Sequence, residues 1–377
     1  MKLSYVIAAL EEFAPRTLQE AWDNSGLQIG LPDGSDECTG AILCVDVTED
    51  TVAEAVERGC NLIVSHHPLI FKGLKALTGA TPVQRAAMAA IRAGVAIYSA
   101  HTSLDSTVGG VSYAMAALMG ARVNGVLSAA DVKMIRLSVI CPRTVAEDVR
   151  MVLLDGGAGA APCAGNIESE GSTDAADSRI TYSDIEGETL DVVQPDPIAG
   201  LSISHTPLTR VEAIVPAWRV AALSSAVASV PGAEDVRIET TPVGGGVNAS
   251  VGLGVVAEYD TPVTMASFAD RLKQAFKLSV IRTSLAYEPD ATVRRVAFCG
   301  GAGGEFIGVA ASAGADAYVT ADVRYHDFCD NRSGMAIFDI GHFESEACSM
   351  AIFASILDGK IPVYISQSQK NPVKYII

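Results

Sequence analysis

Residues 41–71 read AILCVDVTEDTVAEAVERGCNLIVSHHPLIF, and their pattern sets the fold class. The run AILCVDV is apolar without strict alternation, as expected of a strand buried on both faces. TEDTVAEAVERG carries a helical period, with Thr48 placed as N-cap and Gly59 as the stop. NLIVS reads as a second buried strand, so the stretch is a strand–helix–strand unit of a parallel sheet. It closes on His66 and His67 followed by Pro68. Neighbouring side chains of a strand point to opposite faces, so two adjacent imidazoles can serve one pocket only where the strand ends. Pro68 supplies that end and biases His67 toward an extended backbone. Imidazoles diverging from such a turn suit two neighbouring ions better than one.

Further along lie a helix (TPVQRAAMAAIRAG), a strand (VAIYSA) and the block HTSLD. Residues 293–346 repeat this order: strand RRVAFCGG, helix GEFIGVAASAG, strand DAYVTAD, a short helical stretch, strand MAIFDI and then GHFESE. Gly94-Val-Ala-Ile-Tyr and Gly334-Met-Ala-Ile-Phe each feed a His-x-x-x-acid, His101 to Asp105 and His342 to Glu346. An internal duplication of an α/β core is the simplest reading. Between the halves, residues 137–159 and 211–233 each show a strand ending near Pro, an amphipathic helix and a Gly-containing exit. With the strands RITYSDIEG and DVRIETTPV they predict a ferredoxin-like α+β domain inserted over about 130–245. The expected division is therefore 1–129, 130–245 and 246–377. The glycine-rich TPVGGGVNASVGLG (241–254) reads as a return linker, and without a GK[ST] ending it is a poor phosphate loop.

At 377 residues, with 49% hydrophobic and 19% charged, the chain suits two or three compact domains rather than disorder. A net charge of −17 opposes binding to nucleic acid or an anionic membrane, both of which are read by concentrated Lys and Arg. A small anionic substrate stays compatible, because bound cations invert the local field. The eight cysteines form no CxxC, and several sit in apolar runs, so they read as reduced core residues of a cytoplasmic protein. The N-terminal MKLSYVIAALEEFAP is helical and acidic by residue 11, unlike a signal peptide or membrane span.

Strand C-termini gather on one edge of a parallel sheet, which lets His66, His67, Asp105, His342 and Glu346 converge. His342 and Glu346 share a helix face at i and i+4 if the helix starts near Gly341. Imidazole and carboxylate suit zinc, manganese, iron or nickel, and a set without thiolate is unlike a structural Cys-rich zinc site. The spacing leads to an assignment of His67 and Asp105 to one ion, His66 and His342 to the other, and Glu346 as the bridge. Three protein ligands per ion leave positions for water and substrate, and two ions ~3.5–4 Å apart can share a hydroxide as nucleophile.

SHHPLIF, AHTSLD and GHFESE, with ADAYVTADVRYHD, resemble the signature blocks of the dinuclear-metal-centre family named for the yeast NGG-interacting factor three, also known as GTP cyclohydrolase I type 2 homologues. The likeness spans about 1–125 and 245–377, and the middle is similar to the PII/CutA-like insert of longer bacterial members. The resemblance implies the same five ligands and a toroidal homohexamer with metal sites facing an internal cavity. Ser103 and Ala321 depart from the family's usual Asn and Gly without touching a ligand.

His101 reads as a ligand, a partner that supports the ligands or a proton carrier, the supporting role being preferred, and His326, accompanied by Asp322 and Tyr325, as the candidate general acid/base. Lys72 and His205 read as surface residues. Two functions follow. One is a metal-dependent hydrolase or cyclohydrolase acting on a small nucleotide-like substrate; the other is a non-catalytic metal carrier or regulatory assembly with a ligand-sensing insert.

Overall fold

A computed structural model describes residues 1–30, 37–156, 158, 180–191, 202–233, 236–243 and 251–376. They divide into two compact units, Met1–Ala130 with Ala249–Ile377, and Asp131–Asn248. Cys163 and part of the glycine-rich 241–254 stretch lie outside the described residues.

The strands in chain order are β1 Gly26–Ile29, β2 Ala41–Cys44, β3 Leu62–Ser65, β4 Ala96–Ser99, β5 Arg122–Ala129, β6 Met134–Pro142, β7 Thr181–Asp191, β8 Ser202–Pro216, β9 Arg237–Val243, β10 Gly252–Thr264, β11 Arg282–Thr283, β12 Thr292–Ala302, β13 Ala317–Ala321, β14 Ala336–Asp339 and β15 Val363–Ile365. The first unit holds two sheets, ordered β1-β4-β3-β2-β15 and β11-β14-β13-β12-β10-β5. In each, three consecutive strands run parallel, β2-β3-β4 and β12-β13-β14, and the last of the three carries a short antiparallel partner, β1 or β11. β11, two residues long, is too short to leave a periodic signal in the sequence.

The apolar runs have two buried faces because each sheet sits between two cores. Leu62 and Val64 of β3 join the same core as Val296 and Phe298 of β12 and Phe338 of β14. The alternate residues, Ile63 on one sheet and Ala297 and Ile337 on the other, face separate outer cores. The central core fixes the two sheets against each other, together with helices Leu3–Phe13, Val111–Leu118 and Ser349–Leu357.

Local chemistry sets the helix ends. Thr48 caps Glu49–Glu57 by accepting from Thr51 N, and Thr51 Oγ1 accepts from Thr48 N in return. Thr81 and Pro82 open the helix Pro82–Ala93, and Gly94 stops it in the left-handed region at φ 66°.

The second unit runs β6, helix Ala146–Asp155, β7, β8, helix Val220–Ala228 and β9. Its antiparallel sheet is ordered β7-β8-β6-β9, the βαββαβ arrangement of a ferredoxin-like unit. Leu137, Val139, Val211, Val149 and Val227 form its own core.

Seven cysteines are described, all free. Five are buried, in keeping with the core reading, but Cys329 is exposed on a short polar helix. No helix among the described residues is long and apolar enough to cross a membrane.

The chain's end returns to the first sheet, where β15 pairs with β2. Beyond it, Glu54 gathers the backbone N–H groups of Gln367 and Ser368 and the hydroxyls of Ser366 and Ser368 at 2.7–3.1 Å. Burial acts to raise the pKa of this carboxyl, but these donors outweigh it and hold it at about 2. The folded value lies below the unfolded one of about 4.3, so the contribution is complete above that pH and fades as pH falls through about 2. Glu54→Gln is expected to lower stability by about 2 kcal/mol at neutral pH. In denaturant titrations the gap between variant and parent should narrow below about pH 4; a gap independent of pH would contradict the assignment.

Candidate metal centre

Four strand ends deliver the site. His66 and His67 follow β3, His101 follows β4, Asp322 follows β13, and His342 opens the helix His342–Glu346 just after β14. That helix begins after Gly341, so His342 and Glu346 share a face, with His342 Nε2 3.2 Å from Glu346 Oε1. Asp105 lies one turn beyond His101 on the helix Thr102–Ser106.

Each imidazole is oriented through Nδ1. His66 Nδ1 donates to the Ala100 carbonyl at 3.0 Å, which can only accept, so the Nε2 of neutral His66 carries a lone pair. His67 Nδ1 meets Asp46 Oδ1 at 2.8 Å, His101 Nδ1 meets Asp23 Oδ1 at 2.8 Å, and His342 Nδ1 meets Asp322 Oδ2 at 2.7 Å. This is how metal-binding histidines are commonly held, by a carbonyl or carboxylate on the far nitrogen. Asp322 does this from φ 53°, one of two positive-φ non-glycine positions among the described residues; such strain concentrates at functional sites.

The Nε2 atoms face inward. His66 Nε2 is 3.5 Å from Glu346 Oε1 and 3.7 Å from Asp105 Oδ1. His67 Nε2 is 2.8 Å from Glu346 Oε2 and 3.3 Å from His342 Nε2. The ligand atoms of His66, His67 and His101 lie within 4.8 Å of one another, as do those of His67, His342 and Glu346. His66 Nε2, Asp105 Oδ1 and Glu346 Oε2 are buried without a hydrogen-bond partner, even though His67 Nε2 is close to the last of these. Buried polar atoms are rarely left so, and nitrogen and oxygen donors aimed at common points fit divalent ions. Gly301 is part of this cradle: it sits at φ 62°, and a Cβ there would collide with Glu346 Oε1.

The five expected ligands therefore come together, but they group differently from the assignment made on spacing. Through Nε2, His66 and His67 are both closest to Glu346; beyond it His66 has Asp105 at 3.7 Å and His67 has His342 at 3.3 Å, the rings being turned by their Nδ1 anchors, Ala100 and Asp46. His101 is also brought among the donors, the ligand role among the three open to it. His326 is not. It is exposed on the helix Tyr325–Asp330 with its ring against an exposed Tyr325, and neither residue lines the adjacent cavity. A polar helix face turned to solvent keeps His326 apart from the cluster, whereas Asp322 holds His342. Lys72 is exposed, as expected.

Asp23 and Asp46 escaped the sequence reading. Asp23 has a fully buried side chain and also accepts from Ser25 Oγ, Thr102 N and Thr102 Oγ1. The polar cluster WDNSG before β1 was the available signal for Asp23. Asp46, an acid closing the apolar run AILCV, was the signal at the end of β2.

The rings of His67 and His342 border a cavity of about 330 Å³ that Arg282, Asp339 and the terminal residues Asn371 and Tyr375 also line. Burial acts against protonating His67 and His342, but Asp46 and Glu346 around the first, and Glu346 and Asp322 around the second, prevail and raise them to about 10 and about 9. Burial would raise Glu346, yet the surrounding imidazoles hold it well below the usual carboxylate range. Burial raises Asp105, with the nearby imidazoles opposing.

These features define an α/β protein with a carboxylate-centred histidine cluster able to hold metal. Residues 1–372 match the family described as Duf34/NIF3 (NGG1p interacting factor 3), and the chain belongs to that family. Among its relatives, a Mycobacterium tuberculosis protein named GTP cyclohydrolase 1 type 2 homolog is 30% identical over 99% of this chain and 96% of its own length. A Bacillus subtilis protein of the same name is 28% identical over 98% of both. A crystal structure of a Bacillus cereus protein related to NIF3 superposes with a TM-score of 0.80 at 29% identity, covering 100% of this chain and 99% of that one.

Metal and protons compete for the same Nε2 lone pairs. With both imidazole pKa values raised, protons should compete at neutral pH and affinity should rise with pH up to about 10. Calorimetry in buffers of differing ionisation enthalpy should report release of roughly two protons per chain at neutral pH; no release would contradict these protonation states. Asp23→Asn and Asp46→Asn should each weaken metal binding by about 10–100-fold, as loss of an orienting carboxylate does. Unchanged affinity in chelator competition would show that the imidazoles need no such support.

Proposed function

We propose that this chain is a dinuclear-metal-dependent hydrolase or cyclohydrolase acting on a small nucleotide-like molecule. The observation that carries the reading is the set of four imidazoles, each anchored at Nδ1, whose Nε2 atoms converge on two buried carboxylates. Zinc, iron, manganese or nickel suit such donors. Ions held there supply Lewis acidity and acidify water. His67, His342 and Glu346 form a three-donor set bordering the cavity, the open arrangement of a catalytic position. His66, His67 and His101 form a second three-donor set, with Glu346 Oε1 3.5 Å and Asp105 Oδ1 3.7 Å from His66 Nε2. Arg282, held by Asp339 Oδ2 at 2.9 Å and Val323 O at 2.8 Å, is placed to orient an anionic group of the substrate. The relatives' name suggests GTP ring opening as the reaction class.

The closeness of Asp105 and Glu346 to His66 beside that second set also favours another reading, because a position that protein ligands fill completely is the closed arrangement of structural or carried metal. A metal carrier or regulatory assembly would need no turnover. In either reading we take the core as a duplication, since its two sheets share one strand pattern. We take residues 130–245 as a PII/CutA-like, ligand-sensing insert on its βαββαβ order. We take the assembly as a cytoplasmic homohexamer from the family resemblance, which sedimentation velocity would check.

Metal analysis should give two ions per chain, and a mononuclear site at saturation would refute the dinuclear reading. His67→Ala and His342→Ala should deplete the same ion, and His66→Ala and Asp105→Ala the other. A screen of nucleotides, phosphoesters and cyclic amides should find turnover that Glu346→Gln abolishes. If no class turns over in fully loaded protein, the carrier reading replaces the enzymatic one. Deleting residues 131–248 should leave a folded core with full metal content; a folded deletion variant lacking metal would show that the insert completes the site.

A further inference from the structure

Beside the metal centre, on the open side of His101, three rings form a corner. Trp22 is 60% exposed and Phe71 43% exposed. Their centroids are 6.0 Å apart at 58°, and each faces His101 edge-on, Trp22 at 6.0 Å and Phe71 at 6.3 Å. The His101 ring lies 5.4 Å from those of both His66 and His67, so the corner adjoins the cluster itself. Single exposed apolar residues are ordinary, but a contiguous aromatic pair at the edge of a polar site marks a binding surface.

The corner is also fixed in place. Asn24 Nδ2 donates to Ile70 O at 2.6 Å, Ile70 N donates to Gln28 Oε1 at 3.2 Å, and Gln28 Nε2 donates to Asn24 O at 2.6 Å. These amides latch the segment carrying Trp22 to the one carrying Phe71. Asp23, next in sequence to Trp22, is pinned under His101 by the contacts described above. Two large rings held out in water by a buried network on one side and a latch on the other are preorganised for a ligand.

We infer that Trp22 and Phe71 are a stacking platform that holds the planar, unsaturated ring of the substrate against the metal centre. The inference rests on the hydrolase reading and narrows its substrate class to molecules bearing a flat heterocycle. Offset stacking on Trp, with the edge of a second ring closing the side, selects for flatness and π character and tolerates variation in ring atoms. The recognition therefore falls on the ring rather than on any sugar or phosphate attached to it.

The test uses the full-length, metal-loaded protein and ligand-observed NMR. Its probes are flat rings (guanosine, nicotinamide and 2-hydroxypyridine) and saturated or ringless controls (piperidine, cyclohexanol and ribose 5-phosphate). The flat probes should bind in preference to the controls. Trp22→Ala with Phe71→Ala should weaken them at least about tenfold, while Trp22→Phe should keep most of the binding. The chain has two tryptophans, so Trp218→Phe isolates Trp22, whose fluorescence should then be quenched by guanosine. Equal binding of saturated probes, or flat-ring binding that survives the double substitution, would overturn the inference. So would a double variant that changes oligomeric state and leaves probe binding intact, since the rings would then be an interface between copies. Metal content is read in parallel. Intact metal without ring binding defeats the platform alone, whereas a chain that takes up no metal defeats the hydrolase reading beneath it.

Discussion

The Glu346 carboxylate is almost wholly buried, and the site is organised around compensating its charge. An isolated ionised carboxylate in a protein interior costs several kcal/mol or more. Here it is surrounded by His66, His67 and His342, at 2.8–3.5 Å. Those imidazoles can carry protons or leave their Nε2 lone pairs to metal; either way positive charge collects around Glu346. The outer carboxylates Asp46 and Asp322 strengthen this by favouring the charged form of His67 and His342. Gly301 completes the cradle by having no side chain where Glu346 must lie.

Such a cluster needs rigid supports, and the two-sheet core provides them. Val64 and Tyr98 on one sheet, and Phe298, Val319 and Phe338 on the other, lock into one core, so the ends of β3, β4, β13 and β14 cannot drift apart. A packed interior resists small displacements because each costs contacts on both sides. The imidazoles therefore do not rely on loop flexibility to meet. Glu54 likewise ties down the backbone that leads to Asn371 and Tyr375 at the cavity wall. Packing, a buried carboxylate and the shape of the cavity are in this way parts of one arrangement.

What the sequence leaves open is the direction in which each side chain turns. His326 and Asp322 lie four residues apart and look alike as polar residues after a strand. Both are exposed, but Asp322, from a strained backbone, reaches His342, whereas the ring of His326 packs against Tyr325. That His66 Nε2 faces Glu346 and Asp105 depends on which group its Nδ1 finds, and that group is a backbone carbonyl, Ala100, invisible to any motif. Asp23 reaches His101 across 78 positions of sequence. No local spacing encodes a contact of that range.

The sequence by itself determined the parallel strand–helix repeats, their helix caps at Thr48 and Thr81, the βαββαβ middle segment and the five residues that gather at the centre. Each is written in short-range physics: apolar runs for strands buried on both faces, hydroxyls for orphan helix N–H groups, and i, i+4 alignment for His342 and Glu346. Only the tertiary structure decided which imidazole faces which carboxylate, that His101 joins them, that His326 does not, and that Trp22 and Phe71 stand together at the edge. Those outcomes depend on where two sheets place residues far apart in the chain, and on the direction in which a buried anchor turns each ring.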